Sequence, residues 1–133
     1  MKYTSPSRYY QLAIPENWKV EEDENTISIY NEGEGLGAIT ITSYLIPETY
    51  SFDIRKELID FVDNTINNQK DIKEYNLQEK KIAEIDIKND KGLWRFVIVF
   101  AKQKALFISY NSDVVVSNEI NTVSHIIASI NII

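Results

Sequence analysis

Apolar and polar residues alternate along the first third of the chain as they do in half-buried strands. Residues 9–14 form an aromatic and apolar run that stops at Pro15, which predicts a strand followed by a corner that directs Trp18 inward. Isoleucines then alternate with polar residues over 26–30 and again over 38–45. These two segments predict neighbouring antiparallel strands, each with one face on a core.

The period changes to that of a helix over residues 53–68, where the inward-facing positions recur three or four residues apart. Ser51 or Asp53 is expected to cap the first turn, because either side chain can accept a hydrogen bond from a free backbone N–H. A second amphipathic helix is predicted over 117–130. The inward positions of the two helices are Ile54, Leu58, Phe61, Val62, Thr65 and Ile66, and then Ile120, Val123, Ile126, Ile127 and Ile130.

Between the two predicted helices, apolar and polar residues again alternate with a period of two, as they do in a strand. Residues 80–88 alternate apolar with charged side chains, and Gly92 ends a turn that starts at residue 89. Residues 93–101 are apolar on both faces, which predicts a central strand covered on both sides. A turn at 102–104 and a last strand at 105–110 complete an antiparallel meander.

This order of elements predicts an α+β fold in a single domain, residues 1–133. With residues 19–22 as a further short strand, three or four strands precede the first helix and three precede the second. The prediction is therefore a central antiparallel sheet of about six strands, in the order βββ-α-βββ-α, with helices packed on it. A chain of 133 residues is long enough for one such core.

Composition excludes several classes of function. The chain has no cysteine, so disulfides, thiolate nucleophiles and thiolate metal ligands are absent. Its net charge of −6 and the lack of any Lys/Arg cluster argue against nucleic acid as a partner. No apolar run reaches the ~20 residues of a membrane-spanning helix. The N-terminal residues do not resemble a secretory signal, so a cytoplasmic location is expected.

The segment NEGEGLGAITI at 31–41 raises the question of a phosphate site, because Gly33, Gly35 and Gly37 alternate in it. Phosphate loops need G-x-G-x-x-G or G-x-x-x-x-G-K-[ST] before a helix. Here the spacing is G-x-G-x-G, a strand follows, and two glutamates would repel the anion. We therefore predict a structural turn that joins the strands on either side.

Catalytic and metal sites find little support in the remaining residues. His125 is the only histidine, and it falls opposite the apolar stripe of its helix, so it should point into solvent. The acidic run 21–24 lacks the spacing of a calcium loop and predicts a solvated loop. The sequence has no G-x-S-x-G elbow. No catalytic, cofactor-binding or metal-binding residue is predicted, and the protein is expected not to be an enzyme.

Two further features bear on binding. Arg95 is the one charge within an apolar strand and is expected to form a salt bridge or to reach the rim with its head group, with a ligand anchor as the less favoured role. Five tyrosines lie at an N-terminus, an edge or a loop, and if several share one surface, that surface is a partner site. The tyrosines are Tyr3, Tyr9, Tyr44, Tyr50 and Tyr75, whereas Trp18, Trp94, Phe96, Phe100 and Phe107 should be buried.

Several segments have the residues and the order of a known fold family. They are YYQLAIPENWKV at 9–20 and TISIYNEGEGLGAITITSY at 26–44, and then IAEIDI, LWRFVIVFA and ALFISYN within the meander at 82–111. On these segments the chain resembles the Mog/PsbP-like proteins, as a small bacterial-type member. The helix at 53–68 and the final IIASINII complete the family's order of elements. The resemblance depends mainly on the motif AIPENW.

The resemblance implies an α/β/α sandwich on a central antiparallel sheet, and it implies a binding module that is not an enzyme. Members of this fold include an extrinsic subunit of photosystem II, a factor that binds the GTPase Ran, bacterial lipoproteins and adaptor chaperones for secretion effectors. Their binding residues share no motif with this chain, so none is carried over. The lack of a leader favours the cytosolic adaptor type.

Two hypotheses follow for the function. The first is a non-catalytic cytoplasmic adaptor that binds a protein partner, one with basic or apolar segments to suit the acidic surface. The alternative is a small-molecule carrier or an enzyme with a cavity between sheet and helix. The sequence identifies neither the partner-binding residues nor the oligomeric state, and it indicates no cofactor.

Overall fold

A computed structural model describes residues 1–33, 37–62, 71–90, 92–113 and 117–133. Ten strands and two helices lie within these ranges. They are β1 (Lys2–Thr4), β2 (Tyr10–Ala13), β3 (Trp18–Asp23), β4 (Thr26–Asn31), β5 (Gly37–Leu45), α1 (Ile54–Val62), β6 (Lys73–Leu77), β7 (Lys80–Asn89), β8 (Gly92–Ala101), β9 (Lys104–Ser112), α2 (Ser117–Ala128) and β10 (Asn131–Ile132).

The strands form two antiparallel sheets. The larger has seven strands in the order β3-β4-β5-β9-β8-β7-β6, and the smaller has three in the order β1-β2-β10. The pairing of β5 with β9 runs from Gly37 opposite Ser112 to Leu45 opposite Lys104. It joins the hairpins on the two sides of α1 into one sheet.

One face of the large sheet is closed by α2 and the small sheet together. Alternate residues of β4, β5, β8 and β9 point to this side, and most of them are aliphatic, as strands with a dry face require. They pack with Tyr10 and Leu12 of β2 and with Val123 and Ile126 of α2 in one buried cluster. The cluster therefore extends across this face from Trp18 of β3 to Ile82 of β7.

The opposite face is covered by α1. Ile54, Leu58 and Val62 are the buried residues of this helix, and they pack on Ala83, Ile85 and Ile98 of the sheet. Half-buried phenylalanines extend this second cluster beyond the helix. The two helices thus lie on opposite faces of the sheet.

The described structure confirms the main predicted elements. The meander β7-β8-β9 and the neighbouring pair β4-β5 are present with the expected antiparallel pairing. Asp53 caps α1, because its Oδ1 accepts a hydrogen bond from the N–H of Lys56 at 3.2 Å. Residues 63–68 of the predicted first helix lie outside the described residues.

The predicted strand number and order need correction. The large sheet has seven strands instead of about six, and a separate small sheet accompanies it, so the order is not βββ-α-βββ-α. The additional strands β1, β6 and β10 are only three, five and two residues long. The middle of the large sheet is β9, whereas β8 lies one strand further out.

The predicted burial of Trp94 is wrong, since 43% of its surface is exposed. Trp94 lies on the α1 face of β8, two residues closer to the β7–β8 turn than Phe96, and its ring stacks on that of Phe96 at 5.5 Å. Phe61 of α1 contacts Phe96. Trp18 is buried as predicted, while the three phenylalanines of β8 and β9 are half-buried.

Glycine is required at two positions where backbones meet closely. A Cβ at Gly37 would lie 2.2 Å from the carbonyl oxygen of Asn111, and one at Gly92 would lie 1.9 Å from that of Ser112. Gly92 also has a φ of +123°, which side chains rarely tolerate. Gly35 lies outside the described residues, whereas Gly33 has open space around it.

Candidate partner-binding groove

An open groove lies where the sheet emerges from under α1. Its walls are the end of β5, the loop 46–53 and one side of α1, and Phe107 of β9 forms the floor. We call this site the aromatic groove. It encloses about 520 Å³ and is lined by Thr42, Tyr44, Leu45, Ile46, Pro47, Tyr50, Phe52, Glu57, Phe61 and Phe107.

Aromatic rings hold the floor of the groove in a fixed arrangement. The Phe107 ring has edge-to-face contacts with Tyr44 at 5.4 Å and with Phe61 at 5.2 Å. Phe52 stacks on Phe100 at 4.4 Å. Such ring pairs add attraction beyond the area that they bury, so the groove has a firm apolar base before any ligand is present.

Hydrogen bonds fix the loop that forms one wall. The Ile46 N–H donates to the carbonyl oxygen of Gln103 at 2.7 Å, and the Gln103 side-chain amide donates back to the Ile46 carbonyl at 3.1 Å. A turn follows in which the Tyr50 N–H donates to the carbonyl of Pro47. The loop is therefore tied to the β8–β9 turn and preorganised.

Large apolar side chains at the rim remain open to water. The exposed fractions are 46% for Tyr44, 61% for Leu45 and 51% for Tyr50. Isolated exposed apolar residues are ordinary, but a contiguous apolar patch with a polar rim is typical of an interaction site. Three such residues around one groove form a patch of this kind.

One carboxylate lies in the groove wall, and an acidic turn lies near it. The Tyr50 hydroxyl donates to Oε1 of Glu57, and this hydrogen bond raises the pKa of Tyr50 above its ordinary value. Thr42 in the groove pairs with Thr26, and Thr26 pairs with Asp23. With neighbouring strands about 4.8 Å apart, the acidic β3–β4 turn lies roughly 10 Å from the groove.

The acidic turn belongs to a segment that carries as much charge as the whole protein. Residues 16–34 contain seven acidic residues and one lysine. This excess of negative charge equals the net charge of −6 of the whole chain. The rest of the sequence therefore has equal numbers of acidic and basic residues. The electrostatic field is therefore concentrated on the β3–β4 edge of the sheet and reaches the groove beside it.

A second, smaller cavity lies on the other face of the sheet, between α2 and the strands β6, β7 and β8. We call it the α2 cleft; its volume is about 210 Å³. Arg95 lines it and forms the predicted salt bridge, with Nε 2.8 Å from Oδ1 of Asp86 and Nη2 3.0 Å from Oδ2. Its Nη1 donates to Oγ of Ser124 at 2.7 Å.

The remaining residues singled out in the sequence lie apart from the aromatic groove. His125 is exposed on α2, as predicted. Within the described ranges, no group of three or more His, Asp or Glu side chains could hold a metal ion. Of the five tyrosines, only Tyr44 and Tyr50 share this surface. Tyr75 lines the α2 cleft, and Tyr3 donates to Glu22.

Sequence reasoning missed three residues that shape the groove. The sequence pattern assigns Leu45 to the end of a strand, Phe52 to a loop, and Phe61 to a core position of its helix. Their common signal is an aromatic or apolar residue at an element boundary close to the two tyrosines, within 44–61. The sequence could therefore have limited the candidate surface to residues 44–61.

Comparison with known proteins shows a fold but no family. No protein-family model matches the sequence, and no curated protein is similar to it in sequence. A crystal structure from Bacteroides thetaiotaomicron matches with a TM-score of 0.69 at 15% identity, over 99% of this chain. This chain corresponds to 48% of that protein, about half its length.

The solution structure of the cyanobacterial PsbP (CyanoP) from Synechocystis also matches. Its TM-score is 0.70 at 9% identity, over 100% of this chain and 92% of that one. At such identities the likeness concerns the fold alone, and it supports the PsbP-like part of the resemblance. Among the described helices, none is long and apolar enough to span a bilayer.

Proposed function

We propose that this protein is a non-catalytic cytoplasmic binding domain that engages a protein partner through the aromatic groove. The observation that carries the proposal is the exposed apolar rim of Tyr44, Leu45 and Tyr50 around a floor of ordered rings. Aromatic residues are enriched at protein interfaces because they bury much area with few rotatable bonds. The preformed loop lowers the entropy cost of binding.

The charges around the groove favour one kind of partner. Glu57 lies in the groove wall, and the acidic β3–β4 turn lies beside it. A partner segment with an apolar or aromatic anchor and neighbouring Lys or Arg residues would fill the groove and face these carboxylates. Complementary charge of this kind raises the association rate and disfavours acidic competitors.

The fold is compatible with this role. The likeness to CyanoP concerns a PsbP-like fold, and we extend it to membership of the Mog/PsbP-like group, in which the cytosolic adaptors are the closest model for this chain. This extension rests on the AIPENW motif and on the order of elements. It carries over no binding residue from other members of the group.

A small-molecule carrier or an enzyme with a cavity between sheet and helix is the alternative. The α2 cleft is one cavity between sheet and helix, and its volume of about 210 Å³ is below the ~300 Å³ of typical small-molecule sites. The aromatic groove, which α1 also borders, exceeds this volume, but its apolar rim is open to solvent. The aromatic groove is larger and more apolar. We therefore assign the main function to the groove.

An affinity experiment tests this proposal. Wild-type protein, the groove variant Leu45→Ser/Tyr50→Ser and the control Leu77→Ser are used as baits in lysate of the native cell, with mass spectrometry as the readout. Leu77 is also an exposed apolar residue, at 39%, but it lies on β6. We expect one or more proteins to be enriched by wild type and by the control and lost with the groove variant. Enrichment no greater than with an unrelated acidic domain, or enrichment that survives the groove variant, would contradict the proposal.

A further inference from the structure

The side chain of Lys80 is buried beside the α2 cleft without a counter-charge. Lys80 opens β7 directly after the β6–β7 turn, and only 6% of its surface is exposed. Its Nζ donates to the carbonyl oxygen of Ile130, just past the end of α2, at 2.5 Å. Among the described residues, no carboxylate lies within 4.0 Å of this nitrogen.

The other charged groups of the cleft are already engaged. Arg95 holds Asp86 through two parallel hydrogen bonds. Tyr75 is next to Glu84; burial, and after it this carboxylate, raise the pKa of Tyr75 to about 12. Lys80 is thus the cleft's cation without a charged partner in the described part of the chain.

A buried ammonium without a counter-charge is costly, because burial removes its hydration. Burial accordingly lowers the pKa of Lys80 below its ordinary value. The bond to Ile130 uses one of three ammonium donors. This bond also attaches the β6–β7 hairpin to the end of α2, which explains the position of Lys80 but leaves its charge unbalanced. A bound anion would balance it.

The shape and lining of the cleft restrict the anion. A volume of about 210 Å³ is the room of roughly seven water molecules at ~30 Å³ each. Ile82, Val99 and Ile127 line it, which suits an apolar body. A phosphate group fits poorly, because the Arg95 fork that would grip it holds Asp86 and because Glu84 in the same wall repels a phosphate dianion more strongly than an anion of single charge.

We propose that the α2 cleft is a binding site for a small organic monocarboxylate, whose carboxylate pairs with the Lys80 ammonium and whose short apolar body packs on Ile82, Val99 and Ile127. The Ser124 hydroxyl, held by Arg95, lies in the same lining and can contact a polar substituent on that body. This site lies on the face of the sheet opposite the aromatic groove, so the two sites are separate.

A titration with butyrate at constant ionic strength tests the proposal, with backbone amide chemical shifts as the readout. Butyrate carries one carboxylate and a three-carbon body; butanol and inorganic phosphate are the comparison ligands. We expect saturable shifts centred on Ser124, Ile127 and Ala128 with butyrate and neither with butanol nor with phosphate. Shifts that do not saturate, or that spread over surface lysines, would overturn the proposal.

The matched pair Lys80→Met and Lys81→Met isolates the charge. Methionine retains an unbranched apolar stem, and Lys81 is the exposed neighbour on the same strand. Loss of a charged hydrogen-bond partner should weaken butyrate binding by at least about tenfold in Lys80→Met. Lys81→Met should leave it unchanged. Equal weakening in both variants would show a general charge effect and contradict the proposal.

A measurement on wild type keeps the test valid if Lys80→Met fails to fold. The pKa of the Lys80 ammonium is followed by NMR with and without butyrate. Because an anion favours the protonated amine, bound butyrate should raise this pKa, and binding should weaken as pH rises through it. Arg95, Glu84 and Tyr75 are the other ionisable groups of the lining. An unchanged Lys80 pKa at saturating butyrate would refute the site.

Discussion

The two faces of the seven-stranded sheet differ in how completely they are covered, although the same strands form both. On the α2 face, Ile41 and Ile108 have no exposed surface. Their neighbours in the chain, Thr42 after Ile41 and Phe107 before Ile108, point to the α1 face and line the open groove. Adjacent positions of one strand therefore separate the closed core from the proposed binding surface.

The difference follows from the elements that cover each face. The α2 face is covered by a helix together with the three-stranded sheet, apart from the α2 cleft on the β6 side, and its cluster is mainly aliphatic. The described part of α1 is nine residues long and packs on β7 and β8, with aromatic rings extending the contact toward β9. The groove opens where this cover ends, so substitutions in the filled part of the α2 face should affect stability most, whereas partner binding should depend on the groove of the α1 face.

The largest expected effect is in the closed face. Ile41→Ala should lower the free energy of unfolding by about 2–5 kcal/mol, because it leaves a cavity in a filled core. Thr42→Ala, one residue away, should cost only about 1 kcal/mol, chiefly the hydroxyl contact with Thr26. Urea unfolding of both variants provides the measurement. Similar losses would mean that the faces are equally packed.

An intermediate effect is expected where the two halves of the sheet meet. Gly37→Val should cost about 1–3 kcal/mol, since the new Cβ would strike the Asn111 carbonyl and lie 2.9 Å from the Tyr110 ring. Gly33→Val is the matched control, because nothing lies within 4 Å of its added Cβ. Thermal melting compares them, and an unaltered melting temperature for Gly37→Val would contradict the close approach.

The smallest effect concerns alkaline stability. Burial, and then the hydrogen bond to Glu119, raise the pKa of Tyr110 above its ordinary value. The unfolded chain therefore loses this phenolic proton first, and the contribution of Tyr110 to stability, complete below pH 10, should decline as pH rises further. Tyr110→Phe should flatten the decline. A wild-type stability that rises above pH 10, or a variant with the same slope, would refute the assignment.

Much of the fold could be predicted from the sequence because most strands have one dry face. The isoleucines of β4 and β5 and the alternation of β7 required strands with a definite inward side. By contrast, every residue of β6 is exposed, so its sequence has no periodic signal. The two-residue β10 exists only because α2 brings it beside β2.

The candidate sites were harder to predict because they depend on tertiary contacts. Tyr44 and Tyr50 could be identified as surface tyrosines, but only the folded loop brings both to Phe107. Lys80 carried no signal at all, since a lysine before a strand usually lies in solvent. Its burial results from the end of α2, which is 50 residues away along the chain. Neither the charge of a residue nor the periodicity of the sequence around it indicates such a contact.

Site-specific photo-crosslinking tests the central claim most directly. A photoreactive amino acid is placed at Leu45 in the aromatic groove and, as the control, at Leu77 on β6, and both proteins are expressed in the native cell. We predict a discrete crosslinked protein from position 45 alone, with the crosslink mapping to an apolar segment flanked by Lys or Arg. Equal crosslinking from both positions, or none from position 45, would contradict the assignment of the groove as the partner-binding site.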